Sequence, residues 1–399
     1  MNPKVALIGC IVLVVGLLSI ERKGNPAASH ALWVPTFWML ISGSRPVGNW
    51  FGSGQSDAAG SHLDRLVLST LILLAMLVVS RSKIEWSRIL KDNFWLIFLY
   101  LYLAFSILWS DLPCVSVKRW IRLLGLIPIA LVVLSERSPL EALESIFRRH
   151  AYVLIPFSFV LIKYFPHLGR RYDPWDGALM WVGVGTQKNG LGILCVFSVF
   201  FLFWAAFRKW RSGELLKSRS HAFADALVVG IALHLLRGPG GVYSATSSIV
   251  LITGITCLLI LYRNENLARW MAAHLKAMVV ALPLIYLLFS ASLLPSILSI
   301  VGRDESLTGR TDIWRLVLDI ASLNPLLGVG YGSFWGLETE IFSTFGVKQA
   351  HNGYLGVYLE VGIVGIVFLF AFLMEFSGKV RREVNHMFDG GVLGICFLL

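Results

Sequence analysis

Of the 399 residues, 56% are hydrophobic and 15% charged, where a soluble domain keeps about a quarter of its residues charged to coat a wetted surface. That excludes an ordinary water-soluble enzyme, and the net charge of +11 does not point to nucleic acid, because the basic residues gather in particular loops. The five cysteines (Cys10, Cys114, Cys195, Cys257, Cys396) are scattered, without the spacing of a disulfide pair or metal cluster.

Long apolar runs recur along the chain, each close to the roughly 20 residues a helix needs to cross about 30 Å of hydrocarbon. Helices are expected because each backbone N–H and C=O must be satisfied within its own segment. Spans are predicted at 4–20, 31–43, 64–80, 93–109 and 117–134, then at 149–165, 178–207, 222–237, 243–262, 276–300 and 353–375. The expected fold class is an all-α integral membrane protein, a single polytopic domain (1–399) of about 11–12 transmembrane helices. The first run lacks a small-residue cleavage site and meets Glu21, Arg22 and Lys23 at once, as an uncleaved anchor does. The second is short enough to be re-entrant, and Gly183, Gly185 and Gly190 are placed to bend the seventh. Residues 390–399 are too few to span and read as the start of a twelfth helix.

The loops RSKIEWSRILK, RKWRSGELLKSRS and GKVRRE fall on one side with Arg22/Lys23, Arg148/Arg149 and Arg263/Arg269, which makes that side cytoplasmic. Trp33, Trp50, Trp109, Trp175 and Trp210 lie near predicted ends, as interfacial anchors do. The outer side then carries one large extracytoplasmic loop, 301–352, between spans 10 and 11. Within it Ile313, Trp314, Val317, Leu318 and Ala321 recur at helical spacing before Asn324-Pro325. This amphipathic helix either lies on the membrane surface or caps the bundle.

Positive charge on the outer side runs against the general bias. Arg170 and Arg171 precede Asp173 and Asp176, while Arg303, Arg310 and Arg315 lie in the large loop. Guanidinium forks suit the oxygens of a lipid-linked pyrophosphate; the alternative is that they pair with Asp173, Asp176, Asp304 and Glu305 or with headgroups. His351, before Asn352, opens the last span, either as a base for a sugar hydroxyl or as a structural side chain. Glu360 shares a helical face with Gly353 and Gly356 and needs a partner at that depth. Lys188 and Asn189 read as lying within the seventh span, where a lysine calls for a role or a specific partner. The glycines of GVGYG at 328–332 follow no strand, so they are no nucleotide fingerprint; they offer a tight turn or an anion nest. The DPWD run at 173–176 is the one plausible oxygen-ligand site, and no metal or cofactor is expected.

The segment TGRTDIWRLVLDIASLNPLLGVGYGSF, followed by AHNGYLGVYLEVGIVGIVFLF, resembles the signature region of the O-antigen ligase and Wzy-type polymerase family. The earlier stretches LISGSRPVGNWF, ILWSDLPCVSVKRW and GVGTQKNGLG resemble its exopolysaccharide polymerase branch, toward which Lys188 also tilts. The resemblance implies a GT-C-like, multi-pass enzyme of the bacterial inner (cytoplasmic) membrane with its active site on the periplasmic face. It implies a donor glycan on undecaprenyl pyrophosphate, a glycan or lipid acceptor, inversion, and no metal or cofactor. Membrane lipid and a chain-length regulator are the further partners; nucleic acid is not one. Matched by motif, Arg310 and His351 are catalytic. Arg170, Arg171, Lys188, Asn189, Arg303, Arg315 and Asn352 bind pyrophosphate or substrate, with Arg170 and Arg171 left as alternatives for the second phosphate ligand. Glu360 and Trp314 support them. The alternatives are a ligase moving the finished glycan to a lipid A-core or protein acceptor and, from another class, a lipid-oligosaccharide flippase or transporter.

Overall fold

The structure, a computed structural model, describes every residue but 1, 26–27, 53–60, 174–176, 214–218, 241, 243, 301–309, 337–349, 351 and 399. Its helices run in chain order α1 (Pro3–Gly24), α2 (Trp33–Ser42), α3 (Val47–Trp50), α4 (His62–Ser80), α5 (Trp86–Asp92), α6 (Phe94–Phe105), α7 (Pro113–Leu124), α8 (Leu126–Leu134), α9 (Pro139–Tyr164) and α10 (Pro166–Gly169). A hairpin of β1 (Arg170–Tyr172) and β2 (Leu179–Trp181) precedes α11 (Lys188–Arg211), α12 (Arg219–Arg237), α13 (Ala245–Arg263), α14 (Glu265–Ile300), α15 (Arg310–Ala321), α16 (Gly353–His386) and α17 (Phe388–Leu398).

This is an all-α polytopic membrane protein. Among the described residues eight helices are long and apolar enough to span, or nine if α5 and the helix after it count as one bent span. Several predicted spans differ. The 31–43 run yields only the ten-residue α2, the 117–134 run divides at Gly125 into α7 and α8, and the 93–109 run joins α5 at an 80° bend. Ends are set by local chemistry. Asn2 accepts the Lys4 amide at 2.9 Å with Pro3 behind it, and Ser61 and Asp64 cap α4 reciprocally. The described residues fold as two compact units, one within 1–55, 61–84 and 126–263, the other within 85–125 and 264–399.

In the first unit α9 is the buried axis, packed by α1, α2, α11 and α12; Tyr152, Ile155, Cys195 and Val228 are wholly enclosed. Arg148 and Arg149 are not loop charges, because α9 starts ten residues before the predicted span and carries both inside. Arg148 bridges Glu144 at 2.9 Å and Asp225 at 3.0 Å, and Arg149 binds Glu21 at 2.8 Å with its guanidinium over Trp33, expected as an interfacial anchor. Arg208 and Lys209 also meet Glu144, and Tyr152 donates to Asp225 at 2.6 Å. Three carboxylates from α1, α9 and α12 thus face buried Arg148 and Arg149 and the partly exposed Arg208 and Lys209, a pairing that permits burial of the innermost charges. Glu21→Gln is expected to destabilise by about 3–5 kcal/mol, since Arg149 would stay buried without its counter-ion. The thermal midpoint in detergent checks this: the double change Glu21→Leu with Arg149→Met should recover most of the loss, and a Glu21→Gln midpoint equal to wild type refutes it.

In the second unit α16 packs against α6, α14, α15 and α17. Ile313, Val317 and Ala321 of α15 are buried against Phe334, Ala350 and Leu359, whereas Leu318, predicted on the apolar stripe, is 49% exposed. The buried stripe repeats every four residues, so α15 caps its unit with protein contacts.

Candidate functional site

The second unit holds a backbone splice. In a continuous helix the amides of Ile363 and Val364 would donate to the carbonyls of Leu359 and Glu360. Here α16 is broken at Gly362, with φ 63° and ψ −165°. The Leu359 and Glu360 carbonyls instead accept from Val329 (3.0 Å) and Gly330 (2.8 Å), and the Ile363 and Val364 amides donate to Pro325 (2.9 Å) and Leu326 (3.2 Å). Two helical bonds are exchanged for four bonds to the glycine loop, so the two carbonyls and two amides freed by the break all keep partners.

The glycines of that loop are steric necessities. Gly328, Gly330 and Gly332 all have positive φ. A Cβ on them would meet, respectively, the Glu360 carbonyl carbon at 2.6 Å, Ser110 Cα at 2.6 Å and Arg119 Cδ at 2.8 Å. Each therefore seats the loop on a different element, as a tight turn.

Around the loop the polar groups converge. Arg119 of α7 donates to the Gly332 carbonyl at 2.5 Å, and the Tyr331 amide donates to Ser106 Oγ at 3.1 Å. The Glu360 carboxylate accepts the Gly332 amide and feels the Arg119 charge, so the acid has the partners its depth demands. Burial, reinforced by the Glu360 carboxylate, pushes the Tyr331 hydroxyl up to about 12. The sequence carries no local sign of Arg119, which falls inside the apolar run predicted as a span at 117–134.

The large loop's helix is tied to the start of α16. Trp314 Nε1 donates to the Ala350 carbonyl at 2.8 Å, and Asn352 Oδ1 caps α16 through the Leu355 amide at 3.2 Å. Asn352, expected to bind substrate, thus has a capping bond to make. Arg310 opens α15 one turn before Trp314, a spacing that puts two positions on one helical face. Arg315 is exposed. His351 and Arg303 lie outside the described residues, as do Asp176, Asp304 and Glu305.

In the first unit, the chain expected as the beginning of the seventh span is a hairpin and a turn; Lys188 is the first residue of α11 and not a mid-span lysine. Its ammonium lies 3.4 Å from Asp173, and Ser244 donates to Asn189 Oδ1 at 3.1 Å. Arg170 and Arg171 point to opposite faces of β1. Arg170 Nε donates to the Ile162 carbonyl at 2.7 Å, while Arg171 is exposed. Beneath the turn Arg45, 8% exposed, donates to the carbonyls of Leu168 (2.8 Å), Gly183 (2.7 Å), Val184 (3.2 Å) and Gly185 (3.0 Å). Burial and then the Arg171 charge depress its pKa, which places a second cation near this clamp. Gly183 is required at φ 54°, with Ser158 Cβ 2.7 Å from any Cβ it would carry. Arg45 sits in the LISGSRPVGNWF stretch, where an Arg-Pro between two apolar runs is the available signal.

A polytopic helical membrane protein with a spliced span and a tethered loop helix is the class these features define. Residues 177–370 match a family model described as O-antigen ligase (Wzy_C). The chain is 25% identical over 302 residues to the exopolysaccharide production protein ExoQ of Rhizobium meliloti (strain 1021), covering 73% of this chain and 66% of that protein. No solved structure matches. The chain is thus similar to an O-antigen ligase family model over 177–370 and to ExoQ over most of its own length, and it spans just under two thirds of that relative.

Proposed function

We propose that this protein is a membrane glycosyltransferase that polymerises exopolysaccharide or O-antigen repeat units at the extracytoplasmic face, using an undecaprenyl-pyrophosphate-linked donor. In the reaction an acceptor sugar hydroxyl attacks the anomeric carbon. The new C–O bond forms as the bond to pyrophosphate breaks, the electron pair leaves on the pyrophosphate oxygen, and His351 takes the hydroxyl proton. Arg310 stabilises the negative charge growing on the leaving group, the stage at which a preplaced cation acts most strongly. The observation that carries this reading is the Trp314–Ala350 bond, which ties α15, opened by Arg310, to the residue before His351. Neither role needs a metal.

Arg310→Lys is expected to lower kcat/KM by about tenfold or more, because one ammonium replaces a two-pronged grip worth roughly twice a neutral hydrogen bond. Steady-state kinetics with a lipid-linked repeat unit check this, and wild-type values would remove Arg310 from the reaction. The family model's description favours a ligase as the second reading. Chain growth from the lipid-linked repeat unit alone supports the polymerase; product formed only when a separate lipid or protein acceptor is added supports the ligase.

A further inference from the structure

The side that carries the basic loops has a feature the transfer reaction does not use. Helix α5 has no buried residue and meets the following span at 80°. A seven-residue helix this exposed, with only Ile89 and Asp92 half-buried, gains little from protein packing. Its exposed Trp86 (51%) and Leu90 (54%) instead suit the headgroup–acyl boundary, where an indole sits well. Between α5 and the last turns of α16 lies a groove of about 710 Å³. Ser87, Arg88, Lys91 and Arg382 line it beside Trp86. The acids Glu85 and Asp92 line it too, Asp92 lying 3.6 Å from Arg88, which leaves a surplus of one positive charge. Among the described residues Lys91 and Arg382 have no acidic partner, whereas nearby Lys379 is held by Asn93 at 2.8 Å and Glu375 at 3.8 Å.

We propose that this groove binds the phosphodiester headgroup of an anionic phospholipid, such as phosphatidylglycerol. Lys91 and Arg382 meet the phosphate, the Ser87 hydroxyl serves the headgroup, and the chains descend beside Trp86 and Leu90. The groove's excess positive charge complements one phosphodiester, and the apolar residues beside it distinguish a lipid from free phosphate. Basic pockets at membrane-helix ends on the cytoplasmic side hold such headgroups by the same electrostatics.

The test uses the full chain in nanodiscs containing brominated phosphatidylglycerol or brominated phosphatidylcholine. Subtracting the signal of Trp86→Phe isolates quenching of Trp86. The expected result is a several-fold preference for the anionic lipid at that site, reduced about fivefold by each of Lys91→Gln and Arg382→Gln. Arg382→Lys should retain it. Equal quenching of wild type by the two lipids overturns the proposal without any variant, and so does a preference unchanged in the Lys91→Gln, Arg382→Gln double variant. Displacement of the lipid by millimolar inorganic phosphate would show a free-anion site and overturn it as well.

Discussion

Replacing His351 by alanine is expected to cut glycan transfer by about 10²–10⁴-fold, the usual contribution of a positioned general base, with membrane insertion unchanged. Both chain neighbours of this residue are held. Ala350 accepts the Trp314 indole at 2.8 Å and is 4% exposed, and Asn352 caps α16. Loss of a base used only as the hydroxyl attacks should fall on kcat, with little change in KM. Trp314→Phe provides the companion measurement, because it removes the bond to Ala350 and keeps the ring. A loosened tether should lower kcat by a smaller factor, on the order of the 10²-fold that a misplacement of about 1 Å can cost. Turnover of a lipid-linked repeat unit, normalised to folded protein by size-exclusion chromatography, measures both. Undiminished product from His351→Ala would dismiss the imidazole as the base and leave Trp314 with a structural role alone.

The helical class was legible because hydrophobic runs of spanning length have one stable form in a bilayer. The α15 stripe was legible for a similar reason, since Ile313, Val317 and Ala321 repeat along one face. Legibility failed where tertiary structure overrode the apolar run. Residues 178–187 read as the beginning of a span, yet Arg45 from a distant loop takes their carbonyls and holds them as a turn. Arg148 and Arg149 read as loop charges because their counter-ions Glu21 and Asp225 come from other helices. At the candidate site Glu360 was recognised as needing a partner, but Arg119 stands some 240 positions earlier, and no local pattern joins the two. The GVGYG glycines were seen as a turn; that the turn is built into a broken span requires the backbone bonds themselves.

That break sets up a second large effect. Gly362→Ala is expected to lower turnover by about 10²-fold or more, chiefly by favouring a continuous α16. Its φ of 63° and ψ of −165° lie in a region open almost only to glycine, where a side chain costs on the order of 1–3 kcal/mol. An alanine Cβ would also stand 2.3 Å from the Leu326 carbonyl oxygen, which cannot retreat without breaking its bond to Val364. Helical φ/ψ at residue 362 relieves both strains and returns the Leu359 and Glu360 carbonyls to Ile363 and Val364. The cost is ejection of the 325–330 loop, which carries Tyr331 and the Gly332 contact with Arg119 out of place. The membrane favours this outcome, because a continuous helix satisfies its own backbone while the ejected loop is satisfied by water. The variant should therefore remain inserted and thermally stable while losing activity, and the 325–336 segment should become sensitive to protease. Gly356→Ala, where an added Cβ meets nothing within 4 Å, is the matched control and should leave protease resistance unchanged. Wild-type turnover in Gly362→Ala, or a protected loop alongside lost activity, would mean that the splice does not order this site.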